Sequence, residues 1–136
     1  SHAAGAVVLF LGTVREFTGD IQTSSLEYDV YPDMALLELR RLETDVREKW
    51  PVIAVSMVHR TGTLQLGDIA VAVAVSSAHR QEAFQAGQWL IDTLKVRVPV
   101  WKKEIYASGN TEWVHPPGLA DGVLPAGESD FSGAES

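Results

Sequence analysis

Residues 69–107 read IAVAVAVSSAHRQEAFQAGQWLIDTLKVRVPVWKKEIYA, and their order decides the fold. Ile69 to Val75 is a strongly β-branched, apolar run, which marks a buried strand. Ser76-Ser77 can cap a helix from about Ala78 to Val96. Its apolar positions Ala83, Phe84, Gly87, Leu90, Ile91 and Leu94 recur near the 3.6-residue period. Pro99 stops the helix, and Val100 to Ala107 forms a last long strand. Ser108-Gly109-Asn110 is a tight turn, and Glu112 to Val114 is the returning strand.

The pattern extends upstream. Ala6 to Val14 reads as a buried strand and Glu16 to Thr23, with its Thr-Gly-Asp, as a loop. Ser25 to Val30 alternates, with Leu26, Tyr28 and Val30 on one face and Glu27 and Asp29 on the other. Pro32-Asp33 opens a helix through about Lys49, whose seam is Ala35, Leu39, Leu42 and Val46. Trp50-Pro51 ends it, because proline disfavours the helical region for the residue before it. Val52 to Val58 is a strand leading into His59-Arg60-Thr61-Gly62, and Leu66-Gly67-Asp68 is a turn. Strands interleaved with only two main helices, including a hairpin, give an α+β class with mostly antiparallel sheet rather than a doubly wound fold.

The chain of 136 residues corresponds to about one domain. We expect that domain over residues 1–115, followed by a flexible acidic tail over residues 116–136. The tail is rich in Pro, Gly, Ser, Ala and acid and has no apolar period, so it cannot offset its ordering entropy. All 11 Lys and Arg precede Pro116, against 14 of the 18 Asp and Glu, so the body carries −3 and the tail −4. A body near neutrality does not suit a nucleic-acid binder. There is no cysteine, which removes disulfides, thiolate metal sites and a cysteine nucleophile. Apolar runs such as Gly5 to Gly12 are far shorter than the ~20 residues that span a bilayer. No charged segment precedes a signal-like stretch, and the start at Ser1-His2 reads as either a processed or an expression-derived end. These features point to a cytoplasmic enzyme or binding protein with no membrane association. The four tryptophans, Trp50, Trp89, Trp101 and Trp113, suit core or interface better than base stacking.

The cations gather at element ends. Arg15 closes the first strand, His59-Arg60 the third, and His79-Arg80 opens the second helix. Lys95 and Arg97 occupy its last turn, and Lys102 and Lys103 follow across Pro99. Solvated surface charge is the plainer account of any one of them, and Lys95 and Arg97 also suit the helix macrodipole. In a strand only one lysine of the pair can join a given site, because Val100, Lys102 and Glu104 share a face opposite Trp101, Lys103 and Ile105. Periodicity alone does not choose between them. Lys95 and Lys102 meeting around the Pro99 bend would disfavour each other's charge, leaving an amine fit to act as base or nucleophile. With Arg15 and Arg80 nearby, the group would suit a phosphorylated or carboxylated substrate. His59 and His79 lack local ligands at metal spacing, so no metal is expected. No Gly-rich phosphate loop is present, and no cofactor is expected.

Taken in order, these motifs closely resemble one family. They are Gly12-Thr13-Val14-Arg15, Leu26-Glu27-Tyr28 before Tyr31-Pro32-Asp33-Met34, and His59-Arg60-Thr61-Gly62. Ser77-Ala78-His79-Arg80 with Ala83-Phe84 follows, then Leu94-Lys95-Val96-Arg97-Val98-Pro99-Val100-Trp101-Lys102-Lys103-Glu104. The set, from about Gly5 to Val114, resembles the large, catalytic subunit of molybdopterin synthase, the MoaE family.

The resemblance implies an α/β hammerhead-like fold and a role in molybdenum cofactor biosynthesis. Its members insert two sulfur atoms into cyclic pyranopterin monophosphate (precursor Z) to form the molybdopterin dithiolene. The sulfur arrives as a thiocarboxylate on the C-terminal tail of a small ubiquitin-like subunit, and two large subunits form a homodimer within a heterotetramer. A chain supplied with sulfur in this way needs no thiol, and its Ala134-Glu135-Ser136 end is not that of the carrier. The resemblance carries the catalytic lysines onto Lys95 and Lys102, and substrate binding onto Arg15, His79 and Arg80. Two departures are the short segment before the first strand and His115-Pro116-Pro117 leading into the acidic tail, where the family often retains a basic residue. The alternative is a non-catalytic subunit that binds a ubiquitin-like C-terminal tail. An unrelated lysine-dependent carbonyl enzyme is a third reading.

Overall fold

Pro32 takes the first position of the first helix, where its missing N–H costs no hydrogen bond. In the computed structural model, which describes residues 1–114, this helix (α1) spans Pro32–Lys49. Its expected seam of Ala35, Leu39, Leu42 and Val46 is fully buried. Trp50, ahead of Pro51, is extended, as that position requires. The second helix, α2, spans Arg80–Arg97.

The strands are β1 (Ala6–Thr13), β2 (Phe17–Thr18), β3 (Ile21–Val30), β4 (Val52–His59), β5 (Gly62–Gln65), β6 (Ile69–Ser77), β7 (Val100–Tyr106) and β8 (Thr111–Val114). Strands β1-β6-β4 form one sheet, and β2-β3-β7-β8, with β5 also on β3, form the other. Every pairing is antiparallel. The α+β class with two helices and antiparallel sheets is therefore as expected. The main core packs both helices on the first sheet, through Leu39, Leu42, Leu90 and Leu94 against Val55, Met57, Val73 and Val75. A smaller cluster of Val14, Leu26, Leu64 and Ala70, with Tyr28 against it, joins elements of the two sheets.

Five local expectations are corrected. The loop expected over residues 16–23 contains a hairpin, since β2 pairs with the start of β3 around Gly19, whose φ of 62° suits glycine. Gly62–Gln65 is a short strand that apolar patterning did not mark. Ser76 and Ser77 do not cap α2; they end β6, and the cap position is His79, with no side-chain cap bond. Ser76 Oγ instead accepts the Ala54 N–H at 3.1 Å, and Ser77 Oγ donates to the Pro51 carbonyl at 3.2 Å, tying β6 to the strand-β4 side. Phe84 is 62% exposed, and Ala86 takes the buried place expected for it. Asp29, expected on a polar face, is buried beside Trp101 in the β3–β7 register, and its Oδ1 accepts the Val30 N–H at 2.9 Å. Both faces of the second sheet are therefore covered at that end. The acidic tail lies outside the described residues.

Candidate functional site

Strands β1 and β4 both run antiparallel to β6, so their C-terminal ends lie at the same end of the first sheet. That places Arg15 and His59 together, beside the start of β6. The second sheet faces this end. Along β3 and β7 the register pairs Leu26 with Glu104, Tyr28 with Lys102 and Val30 with Val100, so these side chains share one face. The last turn of α2 brings Lys95. Between them lies a cavity of about 600 Å³, lined by Arg15, Tyr28, His59, Lys95, Lys102 and Glu104 among others.

The structure settles the lysine parity. Lys102 lines the cavity, with its Nζ 3.3 Å from Glu104 Oε1. Lys103 points to the opposite face, where it meets Glu27 at 4.0 Å and the Trp113 ring at 5.7 Å. The macrodipole reading likewise divides. Lys95 borders the cavity, whereas Arg97 binds back to α1 through Asp45 at 2.7 Å and Glu38 at 3.3 Å. The Asp45 hydrogen bond, foremost, raises the Arg97 pKa further.

Of the five residues singled out, Arg15, Lys95 and Lys102 share this cavity. His79 and Arg80 do not. They border a separate hollow at the start of α2, with Gly5 and Glu82. There Gly5 donates its N–H to the Ser77 carbonyl at 3.0 Å, and any Cβ at Gly5 would collide with the Ala78 carbonyl oxygen.

Sequence reasoning did not assign Glu104, Tyr28 or His59 to the site. Strand parity signals Glu104 and Tyr28, since each falls on the Lys102 face once the register is known. The Tyr106 hydroxyl, 2.7 Å from Glu104 Oε2 and 2.8 Å from Glu112 Oε2, braces Glu104 from behind. Sharing its single hydrogen between these carboxylates, Glu104 foremost, pushes the Tyr106 pKa up. Burial, then the Glu104 charge, raises the Tyr28 pKa, so its phenol keeps its proton. Burial lowers the His59 pKa, against the opposing effect of its bond to the Arg60 carbonyl.

Three cationic side chains against one carboxylate give the cavity a lining that suits an anion, and its apolar wall of Val71, Ile91, Leu94 and Val98 suits a flat organic body. Among the described residues, no cluster of His, Asp or Glu is placed to hold a metal ion, and no helix is long and apolar enough to cross a membrane.

The chain is similar to proteins of known type. It is 46% identical over 126 residues to the molybdopterin synthase catalytic subunit of Staphylococcus carnosus, covering 92% of this chain and 83% of that one. Its fold superposes on the crystal structure of molybdopterin synthase from Staphylococcus aureus with a TM-score of 0.79 and 45% identity, covering 84% of this chain and 82% of that chain. The molybdopterin biosynthesis MoaE protein of Burkholderia ambifaria superposes with a TM-score of 0.70 at 35% identity, over 87% and 76% of the two chains. The family model described as MoaE protein matches residues 1–97, which contain both helices, the first sheet, Arg15 and Lys95. On sequence, family model and fold alike, the chain belongs to the MoaE family.

Proposed function

We propose that this chain is the catalytic subunit of a molybdopterin synthase, which forms the dithiolene of molybdopterin from cyclic pyranopterin monophosphate. The observation that carries the reading is the convergence of Arg15, Lys95 and Lys102, from three separate elements, on one cavity in a chain 46% identical to a molybdopterin synthase catalytic subunit. A cavity near 600 Å³ is the size of ordinary small-molecule sites, and it has room for a fused-ring substrate and an incoming peptide end.

In this reading Arg15 and Lys102 hold the phosphate, the arginine through its paired N–H donors. Lys95 lies beside the thiocarboxylate carbonyl of the small subunit's C-terminal glycine. Its ammonium stabilises the negative charge that develops on that oxygen as sulfur is transferred. Glu104 orients the Lys102 ammonium, and the Tyr106 hydroxyl keeps Glu104 in place.

The partners are the small ubiquitin-like sulfur carrier and a second copy of this chain. Val7, Leu9 and Leu11 are exposed on the face of β1 turned away from the helices, an apolar stripe that suits the contact between copies. His79 and Arg80 then act from that second copy, completing a site they do not reach within one chain. Cytoplasmic location belongs to the same proposal, and cell fractionation tests it.

The test is reconstitution with a thiocarboxylated small subunit and precursor Z, with molybdopterin measured as its oxidised fluorescent derivative. Product that is lost in Lys95→Ala, with small-subunit binding retained, is the expected result. Binding of the small subunit without product in the wild-type chain would instead establish a non-catalytic subunit. Mixed dimers of His79→Ala and Lys95→Ala chains should regain part of the activity that each lacks.

A further inference from the structure

His59 ends β4, is 6% exposed, and borders the cavity. Its Nδ1 lies 2.7 Å from the Arg60 carbonyl oxygen. A carbonyl only accepts, so Nδ1 carries the hydrogen, and in the neutral ring Nε2 must be a bare lone pair. The Tyr28 ring meets the imidazole edge to face, at 5.0 Å between centroids and 78° between planes, which fixes its orientation from the β3 side. No described residue bonds Nε2, and it is not among the buried polar atoms left without a partner. His59 lines the cavity, so an occupant there can approach the imidazole.

The arrangement has a specific chemical consequence. Arg15, Lys95 and Lys102 line the cavity as donors, and Glu104 already receives Lys102 and Tyr106. The Tyr28 phenol keeps its proton. A substrate that presents N–H groups as well as an anion needs a free acceptor in this donor-rich wall. The lone pair of a neutral, orientationally locked imidazole meets that need. Burial lowers the His59 pKa and so favours this uncharged form.

We propose that His59 contacts the substrate directly, its Nε2 accepting a hydrogen bond from a ring N–H of the pterin while the cations hold the phosphate. This rests on the function proposed above and adds the residue that separates the heterocycle from a bare phosphate. An N–H left facing a side chain without an acceptor loses its water and gains nothing, which costs an order of magnitude or more in affinity.

The experiment compares wild type, His59→Phe and His59→Gln for binding of precursor Z and, separately, of inorganic phosphate, by calorimetry. Phenylalanine keeps the ring against Tyr28 and removes the acceptor. Glutamine returns an acceptor oxygen near the Nε2 position. We expect His59→Phe to bind precursor Z about 10-fold or more weakly and to hold inorganic phosphate as wild type does, with His59→Gln within about 3-fold of wild type on both. Melting temperatures and small-subunit binding report on folding. Wild-type affinity for precursor Z in His59→Phe, or an equal loss in His59→Gln, overturns this proposal while leaving the synthase reading intact. A wild-type chain that binds phosphate but no precursor Z overturns both.

Discussion

Lys102 and Lys103 are adjacent, equally charged and almost equally exposed, at 34% and 30% of the side chain, so a pair of Lys→Met substitutions isolates direction from charge. Methionine keeps the apolar stem of either lysine and removes only the ammonium. At position 102 the substitution deletes a charged donor to the substrate anion, worth about 1.5–3 kcal/mol, or roughly 10- to 150-fold in affinity. It also releases Glu104 from its 3.3 Å cation and leaves that negative charge without a paired ammonium in the cavity proposed to hold an anion, which moves the expectation to the upper part of that range. At position 103 the substitution removes a 4.0 Å pair with Glu27 and a cation–π contact with Trp113, both on the far face of the sheet. A partly exposed pair of this kind contributes at most about 1 kcal/mol to stability. Initial rates of molybdopterin formation over a range of precursor Z, with calorimetric affinities beside them, measure the difference. Equal losses in the two variants, or a larger loss at Lys103, would refute the cavity assignment and the strand parity behind it.

Other outcomes follow from the same structure. Lys95→Ala should abolish product with little change in melting temperature, since Lys95 borders the cavity rather than the core and surface changes usually stay within about 0.5 kcal/mol. Leu39→Ala, at a fully buried seam position, should cost about 2–5 kcal/mol in chemical denaturation. Gly87→Ala and Gly5→Ala should differ in sign. A Cβ at Gly87 reaches ordinary contact with Val8 and gains helix propensity of up to about 1 kcal/mol, whereas at Gly5 it strikes backbone and must lower the melting temperature. The folded state holds the His59 pKa below its unfolded value of about 6.5. The unfolded chain therefore binds the extra proton as pH falls below that value, and stability should drop through this window, with a smaller drop in His59→Gln.

Much of this architecture was legible in the amino acids because periodic burial is strong in them. The α1 seam shows it best, since Ala35, Leu39, Leu42 and Val46 are spaced for one face and carry no competing signal. Phe84 fits the 3.6-residue spacing but lies at the edge of the face set by Ala83, Ala86, Leu90 and Leu94, where it meets solvent. Ser76 and Ser77 have capping chemistry, but strand pairing of β6 with both β1 and β4 outweighs a cap worth about 1 kcal/mol. The β5 strand and the β2–β3 hairpin are short and mostly polar, so no period could mark them. In the site, the family motifs pointed to Arg15, Lys95 and Lys102, whereas strand periodicity alone left Lys102 and Lys103 equivalent until the pairing register of β3 with β7 put Lys102 on the cavity side. His79 and Arg80 were grouped with them by motif, and the single chain keeps them apart.

The cavity lies at the seam between two separately hydrogen-bonded sheets, which the small Val14–Leu26–Leu64–Ala70 cluster helps to join. A ligand lodged there touches β3 and β7 on one side and β1, β4 and α2 on the other. It therefore acts as mortar as well as substrate. An occupant at a hundred times its dissociation constant would add about 2.7 kcal/mol to the folded state. That gain should fall most heavily on the second sheet, whose amides in β3 and β7 ought to slow in hydrogen exchange more than those of β6. A thermal-shift screen of pterin and phosphate compounds would then report occupancy of this seam without any turnover at all.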